Sequence, residues 1–184
     1  MNQTQTKQTT DINETYADIT AQGTLHVKRL MPAPIDIVWS YITDSEKSAL
    51  WLNTINTPFR EKGPYDVTFQ NQNLTDEAVP EEFGAPYNAK GEILIVEPPT
   101  KLSYTWKMGE TDTIVLFELT PQGDQTLLSI THSNIPAPAM TNVGPGWHTH
   151  LARLIAIIAG TKPTPFWETF TTLKSQYEPI IGAK

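Results

Sequence analysis

Apolar and polar residues alternate over most of the segment 65–132, and this alternation constrains the fold more than any other feature of the chain. A period of two residues is typical of strands whose two faces meet different surroundings. Short turns such as Gln122-Gly123-Asp124 separate several of the alternating segments. We therefore expect an α+β fold with one antiparallel, strongly curved sheet. The alternating segments are 65–70, 91–97, 101–107, 113–120 and 126–132.

Two short helices are predicted after a first strand over 24–31. Arg29 lies on the apolar row of this strand. Pro34 then suits the first turn of a helix, because the N–H that proline lacks would have no partner there. Asp44 or Ser45 is suited to cap the second short helix.

Two longer helices are predicted after the strands. The first begins at Asn142 or Gly144, takes Pro145 into its first turn and ends at Gly160, and its apolar residues follow helical spacing. The second spans 165–177. Its apolar stripe consists of Phe166, Phe170, Leu173 and Tyr177.

The composition excludes several classes of function. The chain has no cysteine, which removes disulfides, thiolate metal sites and cysteine nucleophiles. A net charge of −7 with only 13 basic residues argues against nucleic acid as a partner. The longest apolar run, 154–159, is too short to span a bilayer, and residues 1–23 lack the pattern of a signal peptide. We therefore expect a cytoplasmic protein with no membrane partner.

A single domain accounts for almost the whole chain. Residues 1–15 are rich in Thr, Gln and Asn, and we expect them to form a disordered tail. Residues 16–184 suit one domain with a core over 24–160 and a helical extension over 161–184. The polar segment 71–87, with its prolines and glycine, predicts a long loop.

Motifs in a fixed order from about residue 24 to residue 160 resemble those of a known family. They are similar to the AHSA-like family, named after the activator of the ninety-kilodalton heat-shock chaperone's ATPase, within the START-related (SRPBCC) superfamily. The resemblance implies a helix-grip fold, in which a curved antiparallel sheet wraps a long carboxy-terminal helix. The loop 71–87 is longer than in the simplest members, and the chain resembles bacterial single-domain members rather than eukaryotic activators. The motifs are 29–34, 38–39, 42–44, 51–52, 91–93, 97–99, 102–106, 117–121, 126–128, 131–132 and 146–147 with Leu151 and Leu154.

The resemblance also implies a cavity between the sheet and the long helix. Aromatic side chains line apolar ligand sites of this kind, although the same residues also fill ordinary cores. We expect a small lipophilic or aromatic ligand there and no cofactor. The predicted ligand-binding residues are Phe69, Tyr104, Trp106, Phe117, His132, Trp147 and His150.

The histidines allow more than one interpretation. His148 and His150 are two apart, so on a helix they point about 200° away from each other and cannot share a metal ion. His150 is expected to face the cavity, and His148 to be solvated. His132 and His150 could bind a ligand or act as acid and base with Glu118 as partner. Alternatively, the ring nitrogens of both histidines form hydrogen bonds with the backbone or with water and have no role in function.

Three functions follow from these observations. The first is the binding of a small lipophilic or aromatic molecule. The second is a small-molecule enzyme of the cyclase or hydrolase type that uses His132 or His150, although the chain lacks the common nucleophile and phosphate-binding motifs. The third is a module that regulates a chaperone-like protein. A homodimer is a further partner prediction; the stripe of the last helix could serve its interface, although we expect the stripe to pack on its own domain.

Overall fold

A computed structural model describes residues 11–183. Within them the chain forms eight strands, four α-helices and three short 3-10 helices. The strands are β1 Asp18–Ile19, β2 Leu25–Met31, β3 Thr54–Ile55, β4 Pro64–Phe69, β5 Tyr87–Glu97, β6 Lys101–Met108, β7 Thr111–Gln122 and β8 Gln125–Ser133. The helices are α1 Ile35–Thr43, α2 Ser45–Ser48, α3 Ala137–Ile158 and α4 Phe166–Gly182, and the 3-10 helices are Ile12–Glu14, Asn71–Leu74 and Glu81–Phe83.

The strands form one antiparallel sheet in the order β1-β2-β8-β7-β6-β5-β4-β3. Strand β2 pairs with β8 along its whole length, from Leu25 opposite His132 to Met31 opposite Thr126. The first long strand therefore closes against the last. The sheet curves around α3, which confirms the predicted α+β helix-grip fold.

Alternation along the strands places one row of each strand in the core. In β7, Val115, Phe117 and Leu119 are buried, whereas Glu118 between them is exposed on the outer face. In β8 the inward row ends at His132, which is completely buried. The sequence predicted these rows correctly because a strand in contact with a core on one side must alternate.

Helix α3 begins earlier than predicted. It starts at Ala137, so Pro145 lies inside the helix rather than in its first turn, and the predicted start at Asn142 or Gly144 is wrong. Gly160 adopts φ +69° directly after the helix, as expected for a helix-ending glycine. Despite its 22 residues, α3 lacks the hydropathy of a bilayer span, as does every other helix in residues 11–183.

Helix α4 packs on its own domain. Its stripe is buried against α3 and the segment between β4 and β5, so this face is not free to pair with a second copy. The hydroxyl of Tyr177 accepts a hydrogen bond of 2.9 Å from the backbone N–H of Ala17. This bond connects the last helix to the segment that enters β1.

Residues 11–15 are ordered around Arg29. The Arg29 guanidinium is buried, and its Nη1 donates to the backbone oxygens of Lys28 at 2.8 Å and Ile12 at 3.3 Å. Asn13 pairs with the backbone of Leu30 through both its amide oxygen and its amide nitrogen. The predicted disordered tail thus does not extend to residues 11–15, and residues 1–10 lie outside the described residues.

Candidate ligand-binding pocket

A cavity of about 380 Å³ lies at one end of the sheet. It is bounded by the ends of β4 and β6, the start of β5, the first half of α3, the start of α4 and the loop 70–86. Eight of its seventeen lining residues are aromatic, and the lining includes no lysine or arginine. The aromatic lining residues are Phe69, Phe83, Tyr87, Trp106, Trp147, Phe166, Trp167 and Phe170.

Stacked rings form the sheet side of the cavity. Phe69 stacks on Trp106 with ring centroids 5.1 Å apart, and Trp106 stacks in turn on His132 at 5.5 Å. Tyr87 is half-exposed at the mouth, where its hydroxyl donates to the Lys107 carbonyl oxygen. The ring faces of this wall therefore have fixed orientations before any ligand arrives.

His132 connects Trp147 on α3 to Trp106 on β6 through a directed hydrogen-bond chain. Trp147 Nε1 can only donate, and it donates to His132 Nδ1 at 3.2 Å. His132 Nε2 must therefore carry the proton, which it donates to Thr113 Oγ1 at 2.8 Å. The Thr113 hydroxyl donates onward to the backbone oxygen of Trp106 at 2.7 Å. Burial lowers the pKa of His132 to about 3, so the ring is neutral and both of its nitrogens are occupied.

His150 meets the cavity from α3. Its Nδ1 lies within hydrogen-bonding distance of the backbone oxygen of Trp51, and a carbonyl oxygen can only accept. The Trp51 side chain is itself fully buried and donates to the Tyr41 backbone oxygen at 2.8 Å. Burial lowers the pKa of His150 to about 4, although the Trp51 carbonyl opposes this shift. His150 is thus neutral at pH 7, with its proton on Nδ1.

Four of the seven predicted site residues line the cavity, and three lie beneath it. Phe69, Trp106, Trp147 and His150 are in the lining. The other three, Tyr104, Phe117 and His132, lie in the core between the cavity wall and the interior of the sheet.

The deeper aromatic residues have core contacts. Tyr104 stacks on Tyr65 with centroids only 3.9 Å apart, and burial raises the pKa of Tyr104 well above its ordinary value. Phe117 packs against the edge of Trp147 at 5.7 Å. A small void of about 10 Å³ beside these residues has no room for a ligand. Their contribution to the pocket is therefore support for its wall.

The prediction that His148 is solvated is wrong. Its side chain is buried, and its Nδ1 lies 3.3 Å from the hydroxyl of Tyr177. Burial, with a smaller contribution from the charge of Arg29, lowers the pKa of His148 to about 4. The sequence did not reveal this burial, because α4 covers the flank of α3 that would otherwise face water.

The loop 70–86 is attached to α4 by Glu77. Its two carboxylate oxygens accept hydrogen bonds of 3.0 Å from the backbone N–H groups of Trp167 and Glu168, in the first turn of the helix. The Thr75 hydroxyl donates to the same carboxylate at 2.6 Å. Burial acts to raise the pKa of Glu77, but these hydrogen bonds outweigh it and the pKa is lowered. Glu77 thus caps a 17-residue helix from a distant loop.

Aromatic contacts complete this attachment. Phe83 from the loop stacks on Trp167 at 5.1 Å and packs its edge against Phe170 at 5.6 Å. The loop and α4 therefore form one wall of the cavity. This wall was not predicted from the sequence, although an isolated phenylalanine in the polar loop was an available signal.

The predicted pairing of a histidine with Glu118 does not form. Glu118 is exposed on the outer face of β7, whereas His132 is in the core. Within residues 11–183, no histidine lies within ion-pair distance of a carboxylate, and no cluster of His, Asp or Glu has the arrangement of a metal site. The carboxylate nearest the cavity belongs to Glu82, which is exposed at the rim and lies 4.0 Å from Lys174.

Solved structures share this fold over almost the whole chain. A protein of Bordetella parapertussis encoded by the gene BPP1335 is 34% identical, with 92% of this chain and 94% of that chain covered and a TM-score of 0.75. CalU16 of Micromonospora echinospora is 24% identical over 90% and 94% of the two chains, with a TM-score of 0.66. EF2215 of Enterococcus faecalis is 19% identical over 94% and 93%, with a TM-score of 0.67, and these last two show the fold alone.

A family match covers the part of the chain that holds most of the pocket. No curated protein matches the chain. The family described as "Activator of Hsp90 ATPase homolog 1-like protein" matches residues 32–159, from the end of β2 to the end of α3. This range is well over half of the chain and agrees with the motifs seen in the sequence. The chain therefore belongs to the family of activator of Hsp90 ATPase homolog 1-like proteins.

Proposed function

We propose that this protein binds a small lipophilic or aromatic molecule in the cavity between the sheet, α3 and α4. The observation that carries the proposal is a cavity of about 380 Å³ whose lining is rich in aromatic side chains. Ligand pockets typically have about 300–1,000 Å³ and a mostly apolar lining with few polar groups. The proposal includes the cytoplasmic location expected from the sequence.

The size of the cavity limits the ligand. An apolar cavity of about 150 Å³ holds one benzene ring. A volume of about 380 Å³ therefore has room for two or three fused rings. Burial of the ligand's apolar surface against the aromatic lining would supply most of the binding free energy, at about 25 cal/mol for each Å² of apolar surface removed from water.

The histidines support binding over acid–base catalysis. His132 uses both ring nitrogens in the chain that joins Trp147 to Thr113, so neither nitrogen is free to move a proton to or from a ligand. His150 has one free nitrogen. No carboxylate within residues 11–183 pairs with this histidine to support acid–base catalysis, so such a partner would have to come from outside them. Regulation of a chaperone-like protein and homodimerisation stay predictions from the sequence.

The proposal is tested by filling the cavity. Gly146 lines the cavity, and a Cβ added there would meet no atom within 4 Å, so G146L places a side chain in the space of the ligand. G182L is the matched control, because Gly182 is also a helical glycine in open space but lies outside the lining. We expect wild type and G182L to bind 2-methylnaphthalene in isothermal titration calorimetry, and G146L to bind at least tenfold more weakly.

Native mass spectrometry of gently purified protein complements this test. A bound apolar molecule that is retained by wild type and absent from G146L would identify the natural ligand class. If wild type fails to bind 2-methylnaphthalene with a dissociation constant below about 1 mM, or if G146L binds it equally well, the proposed pocket is wrong.

A further inference from the structure

We propose that the pocket selects neutral aromatic molecules that carry a hydroxyl or N–H donor, and that Nε2 of His150 accepts this hydrogen bond. This inference rests on the proposed function, because it requires a ligand in the cavity. It adds to that function the polar group by which one aromatic molecule is distinguished from another.

The backbone of Trp51 determines which nitrogen of His150 faces the ligand. Because the Trp51 carbonyl accepts from Nδ1, the second nitrogen, Nε2, has a lone pair and no proton. Nε2 has no hydrogen-bond partner among residues 11–183. Some other unpartnered nitrogens are sealed from solvent, but Nε2 of His150 is not one of them. The ring contacts the edge of Phe166 at 5.0 Å, within the lining of the cavity. A hydrogen-bond acceptor of fixed direction thus faces the cavity space.

The other polar atoms of the inner wall do not compete with it. The indole nitrogens of Trp106 and Trp167 and the side-chain oxygen of Asn71 are inaccessible in the structure. Glu82 and Asn142 are exposed at the rim. His150 therefore supplies the accessible acceptor on the inner wall, where an unpaired donor of the ligand would be most costly.

The charge of the site favours a neutral ligand. The lining holds no lysine or arginine, and the His150 ring is neutral at pH 7 because burial lowers its pKa to about 4. A carboxylate or phosphate would thus lose its hydration without gaining a cation.

A matched pair of ligands tests the inference by calorimetry. A cavity that is purely apolar ranks 2-methylnaphthalene above 2-naphthol, because a buried hydroxyl without a partner loses its hydrogen bonds to water. If His150 accepts from the hydroxyl, the order reverses, and we expect 2-naphthol to bind wild type about tenfold more tightly than 2-methylnaphthalene.

Two substitutions assign the acceptor. In H150N, the shorter amide can still donate to the Trp51 carbonyl from the position of Nδ1, but it leaves nothing at the position of Nε2. We expect H150N to lose the preference for 2-naphthol, measured as the ratio of the two dissociation constants in the same variant, whatever its affinity for 2-methylnaphthalene. H150Q, whose longer amide reaches the position of Nε2, serves as a second variant and should retain part of the preference. Near-ultraviolet circular dichroism checks that each variant is folded.

The outcomes separate this inference from the proposed function. If wild type binds both probes and prefers 2-methylnaphthalene, the inference is overturned while the proposed function stands. If wild type prefers 2-naphthol and folded H150N does so equally, or if E82Q abolishes the preference, His150 is not the acceptor. If wild type binds neither probe, both proposals are overturned.

Discussion

The three buried histidines make the stability of this protein sensitive to mild acid. His132, His148 and His150 are each less than one-tenth exposed, and burial is the largest cause of the lowering of their pKa values to about 3, 4 and 4. In the unfolded chain the same groups titrate near pH 6.5. Below that pH the unfolded state binds more protons than the folded state, so the free energy of unfolding falls as the pH falls.

The magnitude follows from the difference between the folded and unfolded pKa values. Between pH 7 and pH 5, each of these histidines lowers the free energy of unfolding by about 2 kcal/mol, and the three together by about 6 kcal/mol. A typical domain has a total stability of about 5–15 kcal/mol. Asp66 and Glu77, whose pKa values lie below the ordinary range, stay ionised in this interval and contribute only at lower pH.

Urea unfolding at pH 7, 6 and 5, followed by circular dichroism, measures this loss. H148Q should reduce the loss by about one third, because it removes one of the three groups. His26 is exposed on the outer face of β2, so H26Q is the matched control and should leave the loss unchanged. A difference of less than about 1 kcal/mol between pH 7 and pH 5 would refute the reasoning, since even one buried neutral histidine requires more.

Four substitutions test the packing around the pocket, each by urea unfolding. G144A should cost about 2 kcal/mol, because its Cβ would lie 3.1 Å from the ring of Tyr177, whereas G146A in the same helix should gain about 1 kcal/mol, because its Cβ meets open space. E77A should cost about 1–2 kcal/mol through the lost cap of α4 and should also speed proteolysis of the loop 70–86, unlike a purely local change. H132F should cost about 2 kcal/mol, because it leaves the indole N–H of Trp147 without a partner in the core and removes the donor to the Thr113 hydroxyl. An unchanged urea midpoint in any of these variants would contradict the contact on which that prediction depends.

The sheet could be predicted from the sequence because burial on one face imposes a period of two. The long strands appear where alternation was seen, and most extend one or more residues further, as β5 does by starting at Tyr87 rather than at residue 91. Strands β1 and β3 were not predicted, because two residues each are too few to show any period. Their pairing depends on neighbouring strands rather than on local sequence.

The start of α3 shows where local rules fail. Three prolines, at positions 136, 138 and 145, fall within or next to its first turns, and proline inside a helix usually indicates a boundary. Here the helix continues through Pro145, which is buried. Tertiary packing on both sides of the helix outweighs the hydrogen bond that Pro145 cannot donate.

The pocket could be predicted only where it is built from periodic elements. Phe69, Trp106, Trp147 and His150 lie on strands or on α3, so their orientation follows from position in the row or on the helix face. The opposite wall comes from the loop 70–86 and the first turn of α4, which meet through the carboxylate of Glu77. A contact across about 90 residues of chain leaves no periodic trace in either segment.

The two histidines of α3 show how the fold gives identical side chains different roles. They point away from each other, as their spacing requires, yet both are buried because α3 lies between the sheet and α4. His148 meets the hydroxyl of Tyr177, whereas His150 meets the carbonyl of Trp51 and the cavity. A hydroxyl can donate or accept, whereas a carbonyl oxygen can only accept. Of these two histidines, only His150 therefore has a ring nitrogen that is fixed as an acceptor and directed toward a ligand. The choice among aromatic ligands would then depend on one ring nitrogen, whose orientation is set by a backbone oxygen 99 residues earlier in the chain.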